Sequence, residues 1–350
     1  MKLKFVCQWL IIAAVVTGPS GYAKDHVKAA DDAYHFQSWE GSPYNAAYTE
    51  WWYFNLYDAK HDLQAIFSYQ IVDPLNLTTH GLSYVAAVVY QGNQIIPGIS
   101  FYPPSLFHAS DSAANVGVGP NTITVVTDNK YVISGASSNG RLSWNLHYER
   151  VAPSWFAGDH VNVGPLAWEQ MSWLLYMPRA AVSGTLTIDG QAYRIESSGY
   201  HDHNWGEWDF SGTNWNWAQY SQPGLTFDLG DFVDNPNGRA SFDLGGERFV
   251  FSASDYKLVH TKWSFDPLTN LSYPTQSVFT AEKDDVQIRL VMDVQKTAPL
   301  SAGPPPALVI FEQPTRFTGE ITIQRSWFPI KIAFEGNGFK EYTATSTAVP

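Results

Sequence analysis

Cysteine is nearly absent from this chain. Cys7 is the only one among 350 residues, so an intramolecular disulfide framework is excluded. Charge is also scarce: 15% of residues are charged, against roughly 25% in an average soluble chain. With 45% hydrophobic residues, disorder of the whole chain is excluded as well. Cations are outnumbered, 21 Lys and Arg against 33 Asp and Glu, for a net charge of −12. That balance argues against nucleic acid or anionic membrane surfaces as main partners. No long stretch places apolar residues at the helical spacing i, i+3, i+4, i+7. There is no G-x-S-x-G, P-loop, G-x-G-x-x-G or H-E-x-x-H motif.

One apolar run stands out, Phe5 to Val16, preceded by Lys2 and Lys4 and followed by Gly18, Pro19 and Gly21-Tyr22-Ala23. This is the pattern of a secretory signal, expected over residues 1–23; it is short for a membrane span. Cleavage would remove Cys7 and two lysines, taking the charge from −12 to −14. Thiol nucleophiles and Cys-ligated metals then drop out. The mature chain is expected to be secreted, or periplasmic in a Gram-negative host, without membrane insertion. Asn76-Leu77-Thr78 and Asn270-Leu271-Ser272 are sequons, open to N-glycans in a eukaryotic host.

What the chain has in abundance is aromatic residues, 14 Trp, 19 Tyr and 20 Phe, on segments with a period of two. Arg141 to Arg150 places Leu142, Trp144, Leu146 and Tyr148 on one face. Asp189-Gly190 between two alternating runs is a type I′ hairpin signal. Asn139-Gly140, Asn237-Gly238 and Gly245-Gly246 punctuate similar runs. Short strands with close turns point to an all-β fold of two barrel domains, 24–210 and 211–350, divided near Ser211-Gly212. No strong internal repeat is visible. Residues 24 to about 40 and 345–350 read as loose termini, and the Pro-rich 297–306 as a long loop.

Three tracts can carry chemistry. Gly199 to Phe210 reads G-Y-H-D-H-N-W-G-E-W-D-F. As a strand it places Tyr200, Asp202 and Asn204 on one face, and His201, His203 and Trp205 on the other. The first face offers a carboxyl between a phenol and an amide; the second offers two imidazoles. A metal would need further ligands, and His35, His147, His160 and Glu207 stand at no recognisable ligand spacing. The second tract, Thr49 to Phe54, puts Glu50 and Trp52 on one face and Trp51 on the other. A Glu beside two Trp can be desolvated and stay protonated near neutrality. The third, Trp168 to Tyr176, presents Trp173 and Leu175 on one side, Leu174 and Tyr176 on the other. For each tract, core packing or a hydrogen-bonded network is the competing explanation.

Glu50-Trp51-Trp52-Tyr53-Phe54 followed by Gly199-Tyr200-His201-Asp202-His203-Asn204-Trp205-Gly206 resembles the carotenoid 1,2-hydratase (hydroxyneurosporene synthase)/AttH lipocalin-like superfamily. Trp215-Asn216-Trp217 and the late Gly336 to Tyr342 also fit, so the resemblance covers nearly the whole mature chain. It implies two lipocalin-like β-barrels with a site near their junction, and Tyr200 and Asp202 in acid catalysis. One departure is the His-x-Trp pair of the hydratases, here Trp173-Leu174-Leu175-Tyr176. The group includes carotenoid hydratases, a secreted kievitone-type hydratase of prenylated isoflavonoid phytoalexins, and Diels–Alderase-type cyclases.

The expectation is a hydro-lyase adding water to the terminal trisubstituted double bond of a prenyl or isoprenoid group. Asp202 would be the acid, aided by Tyr200. His201 or His203 would orient it or take a proton from water. Glu50, Trp51, Trp52, Trp173, Tyr176, Asn204 and Trp205 would contact the small apolar or prenylated substrate. No cofactor and no metal are expected. The alternatives are a binding or accessory protein for an apolar ligand, a cyclase, and a purely structural β protein.

Overall fold

The computed structural model describes residues 27–302, 307–325 and 328–346. The signal expected over 1–23 lies outside them. Strand makes up 68% and helix 4% of the described residues, and the described helices are 3-10 turns of three or four residues. The described fold is therefore all-β. No helix among the described residues is long and apolar enough to cross a membrane.

Two antiparallel sheets hold twelve and ten strands, one of them nearly closing into a barrel. The chain leaves the first sheet at Glu207 and enters the second at Trp215. In each sheet the first strand lies beside the last. Tyr48–Asp58 pairs with Gln191–Glu207, and Trp215–Gln222 with Pro329–Ser346. Each last strand also pairs with a long neighbour, Gln170–Ile188 or Ala307–Gln324. The two sheets thus share one topology that the sequence does not display as a repeat. Asp189 (φ 48°) and Gly190 (φ 84°) close the hairpin between Gln170–Ile188 and Gln191–Glu207, the left-handed pair that a type I′ turn needs.

Alternation distributes the aromatic residues among three apolar cores. Trp52, Phe54, Leu174 and Tyr176 point into the first sheet's interior. Phe227, Phe242 and Phe317 fill the second. Tyr53, Trp173, Tyr200 and Trp217 meet between the sheets.

Three segments differ from the sequence expectation. Residues 24–40 are not loose where described: Asp32 is fully buried, and its backbone oxygen accepts from Trp52 Nε1 at 3.0 Å. Within 297–306, Ala298–Ala302 forms a strand on Ala307–Gln324. Pro299 is tolerated there because this strand pairs on one side only. The last strand runs to Ser346, tied by Thr345 Oγ1 donating to the Ser211 carbonyl at 2.8 Å.

Candidate functional site

The strand Gln191–Glu207 has no solvent-facing side in its second half. From Gly199 to Glu207 every residue is buried. Its two faces serve different cores, so the polar tract divides into two separate clusters.

On one face, Asp202 and Asn204 look into a narrow cleft between the sheets. The first sheet adds Trp51, Tyr53 and Trp173; the second adds Trp217, Phe232 and Glu341; Trp208 comes from the connection. The room inside it for water-sized atoms is about 50 Å³, within a gap of about 520 Å³ that runs out into open solvent. Asp202 Oδ2 accepts two hydrogen bonds, from Trp173 Nε1 at 2.8 Å and from Tyr200 Oη at 2.8 Å. Its Oδ1 has no donor in good hydrogen-bond geometry, and the neighbouring Asn204 amide also holds the carboxyl down. With Oδ2 occupied by two donors, a proton on this carboxyl belongs on Oδ1. Burial lifts the Asp202 carboxyl to about 6, with the bonds from Trp173 and Tyr200 holding back the rise. Burial, then the charge of Asp202, push the Tyr200 phenol well above its ordinary range, so it stays a donor. The buried Asn216 Oδ1 also lacks a partner. Unpaired buried polar atoms around one cleft call for an explanation, and a ligand provides one.

The second sheet mirrors this arrangement. Tyr53 stands opposite Asp202 in register in the first sheet, and Trp217 opposite Glu341 in the second. The Tyr53 and Trp217 rings meet edge-on at 5.2 Å. Burial lifts Glu341 to about 7 against the hydrogen bond from Trp215 Nε1 at 2.9 Å. Its cross-strand partner Glu312 is raised well above the carboxylate range, by burial and then by Glu341. Two carboxyls this close and this dry share a proton near neutrality. Nothing in the sequence around Glu341 marks it as a site residue. Only the alternation of Phe339-Lys340-Glu341-Tyr342 hints at it, by putting Phe339 and Glu341 on one face.

The other face is closed. His201 Nε2 lies 3.0 Å from Asp32 Oδ2 and its Nδ1 2.9 Å from the Tyr53 carbonyl. His203 Nε2 lies 2.8 Å from Glu50 Oε1, and its Nδ1 3.2 Å from Asp32 Oδ1. Tyr131 Oη donates to Asp32 at 2.8 Å, and Tyr48 Oη donates to Glu50. Burial alone would raise Asp32; His201 and His203 outweigh it and hold the carboxyl well below the usual range. Burial would lower His203; bonds to Asp32 and Glu50 raise it instead. Glu50 is lowered by His203 and His35 against its burial.

Of the residues expected at the site, Asp202, Asn204, Trp51 and Trp173 therefore line the cleft, with Tyr200 directly behind Asp202. His201, His203, Glu50, Trp52, Tyr176 and Trp205 lie in the first sheet's interior and do not line it. Trp52 stacks on His203 at 4.4 Å, so it cannot shelter a cation in the cleft.

Gly230 makes room for the indole that holds Asp202. A Cβ there would come 2.6 Å from Trp173 Cζ3. Gly230→Ala is expected to displace Trp173 and to cost about 1–3 kcal/mol. Urea unfolding followed by tryptophan fluorescence measures this; an unchanged midpoint and spectrum would mean that Trp173 has slack.

No family model matches the chain, and no curated protein is significantly similar to it. Among solved structures, a Nitrosomonas europaea protein assigned as an AttH aligns with TM-score 0.71 at 14% identity, over 95% of this chain and 100% of that one. CghA with Sch210972 aligns with TM-score 0.58 at 12% identity, over 87% of this chain and 89% of CghA. CghA alone gives 0.56 over 86% of this chain. At such identities the likeness is one of architecture: the chain has the all-β, lipocalin-like fold of the AttH-type protein and CghA.

Proposed function

We propose that the chain is a hydro-lyase that adds water to the terminal trisubstituted double bond of a prenyl or other isoprenoid group, outside the cytoplasm. One observation carries the reading: a buried carboxyl lifted to about 6, with a free oxygen, at the wall of an aromatic cleft. A free Asp has a pKa near 3.9 and is a poor proton donor at neutral pH; desolvation turns it into a usable acid.

The steps balance. Asp202 Oδ1–H protonates the less substituted alkene carbon, leaving a tertiary cation and the Asp202 carboxylate. Trp51, Trp173, Trp208 and Trp217 present rings to the cleft, each contributing about 0.5–2 kcal/mol to a cation. Water adds to the cation, and the oxonium proton returns to the Asp202 carboxylate, which restores the acid. The sum is alkene plus water giving a tertiary alcohol.

A second reading is that the cleft folds a polyene for cyclisation, or only holds it. The shared fold of CghA, whose structure contains Sch210972, favours it. Incubating the protein with prenylated isoflavonoids and acyclic carotenoids in heavy-oxygen water separates the readings. Hydration puts the label in a new tertiary alcohol. An unlabelled isomer, or ligand bound but unchanged, would replace hydration by cyclisation or binding.

A further inference from the structure

We propose that His35, Glu50 and His203 form a binding site for a divalent cation of the zinc class, on the face of the Gln191–Glu207 strand opposite Asp202. One donor atom from each residue lies within 4.8 Å of the other two. Glu50 Oε1 is 2.8 Å from His203 Nε2 and 3.5 Å from His35 Nδ1. Bonds of 2.0–2.1 Å to a tetrahedral zinc ion set ligand atoms about 3.3 Å apart, and these two separations bracket that value. Two imidazoles and one carboxylate are also the donor set of zinc sites that keep a position open.

The surroundings fit a ligand set. Metal-bound histidines usually have a carboxylate on the other nitrogen, and Asp32 Oδ1 stands 3.2 Å from His203 Nδ1. Asp32 is itself fixed by His201 and Tyr131, and the second oxygen of Glu50 by Tyr48. Both imidazoles are locked by stacking, His35 on Trp205 at 3.8 Å and His203 on Trp52 at 4.4 Å. His35 Nδ1 is buried, faces Glu50 Oε1 at 3.5 Å and makes no hydrogen bond in good geometry. The His35 side chain is 21% exposed, so it stands at the outer edge of the buried cluster.

Residues 35, 50 and 203 have no spacing motif, so only the fold brings them together.

The test uses the purified full chain, stripped with a chelator and titrated with Zn²⁺ against a competing dye, with bound metal counted by mass spectrometry. The expected result is one zinc per chain. His35→Ala and His35→Gln should weaken binding about 100-fold, at the top of the range for losing a mere supporting partner. Both should keep the wild-type circular dichroism, because His35 stands at the rim of the cluster. His147→Ala, on an exposed strand position, should bind like wild type. Absence of zinc binding by the wild-type chain overturns the site, as does undiminished binding by both His35 variants. In that case the network is an ion cluster closed by a proton on His203.

Discussion

Asp202→Asn is expected to lower turnover about 1,000-fold, in the middle of the 10²–10⁴-fold range for positioned acids, and to leave the protein folded. The amide keeps an oxygen for Trp173 Nε1 and Tyr200 Oη, so the wall of the cleft is preserved. What it lacks is the proton on Oδ1. The stability effect has a definite sign. Asp202 titrates near 6 in the folded chain and near 3.8 unfolded. The folded state then holds more protons, and stability falls as pH rises from 3.8 through about 6. At 1.36 kcal/mol per unit, the penalty above that window is on the order of 3 kcal/mol. Asparagine does not ionise, so the variant should unfold at a higher urea concentration than wild type at neutral pH and lose this advantage in acid. Wild-type activity should decline as pH rises through about 6, and the variant's residual activity should not. A variant that loses stability at neutral pH while retaining turnover would make Asp202 a structural residue.

The second large effect is expected at Asp32. Asp32→Ala removes the partner of His201 Nε2, His203 Nδ1 and Tyr131 Oη together. Breaking a buried ion network from one side costs about 3–5 kcal/mol, because the remaining charge stays buried and unpaired. The pH signature is two-sided. The contribution of Asp32, whose carboxyl is held low, is present above its unfolded value of 3.8 and is lost in strong acid. The contribution of His203, whose imidazole is raised, is complete below its unfolded value of 6.5 and is lost as pH rises through the folded one. The difference between wild type and variant should therefore be greatest between these limits. Chemical denaturation across pH measures it; a loss under about 1 kcal/mol, the level of an exposed pair, would mean that residues 28–38 merely rest on the barrel.

The sequence carried the local pattern and missed the long-range one. Alternation in Gly199 to Trp205 correctly divides Tyr200, Asp202 and Asn204 from His201, His203 and Trp205, because a strand has a fixed period of two. Turn chemistry at Asp189-Gly190 places the central hairpin. Alternation cannot say which face meets a ligand. Both faces of this strand are buried, so Glu50, Trp52 and the imidazoles look as site-like as Trp51 and Trp173. Glu341 reaches the cleft from the second sheet, and nothing local marks it. Asp32 sits among small and polar residues, Ala29-Ala30-Asp31-Asp32-Ala33, that read as a loose terminus. It is buried because the first sheet's interior holds two imidazoles and a phenol that need its carboxylate.

The cleft keeps the Asp202 carboxyl protonated up to about pH 6, above its ordinary range. Infrared difference spectra of wild type minus Asp202→Asn, recorded across pH, test this directly. A protonated-carboxyl stretch present in acid and lost as pH passes about 6 is the expected result. A carboxylate signal persisting down to the ordinary 3.8 would contradict the account.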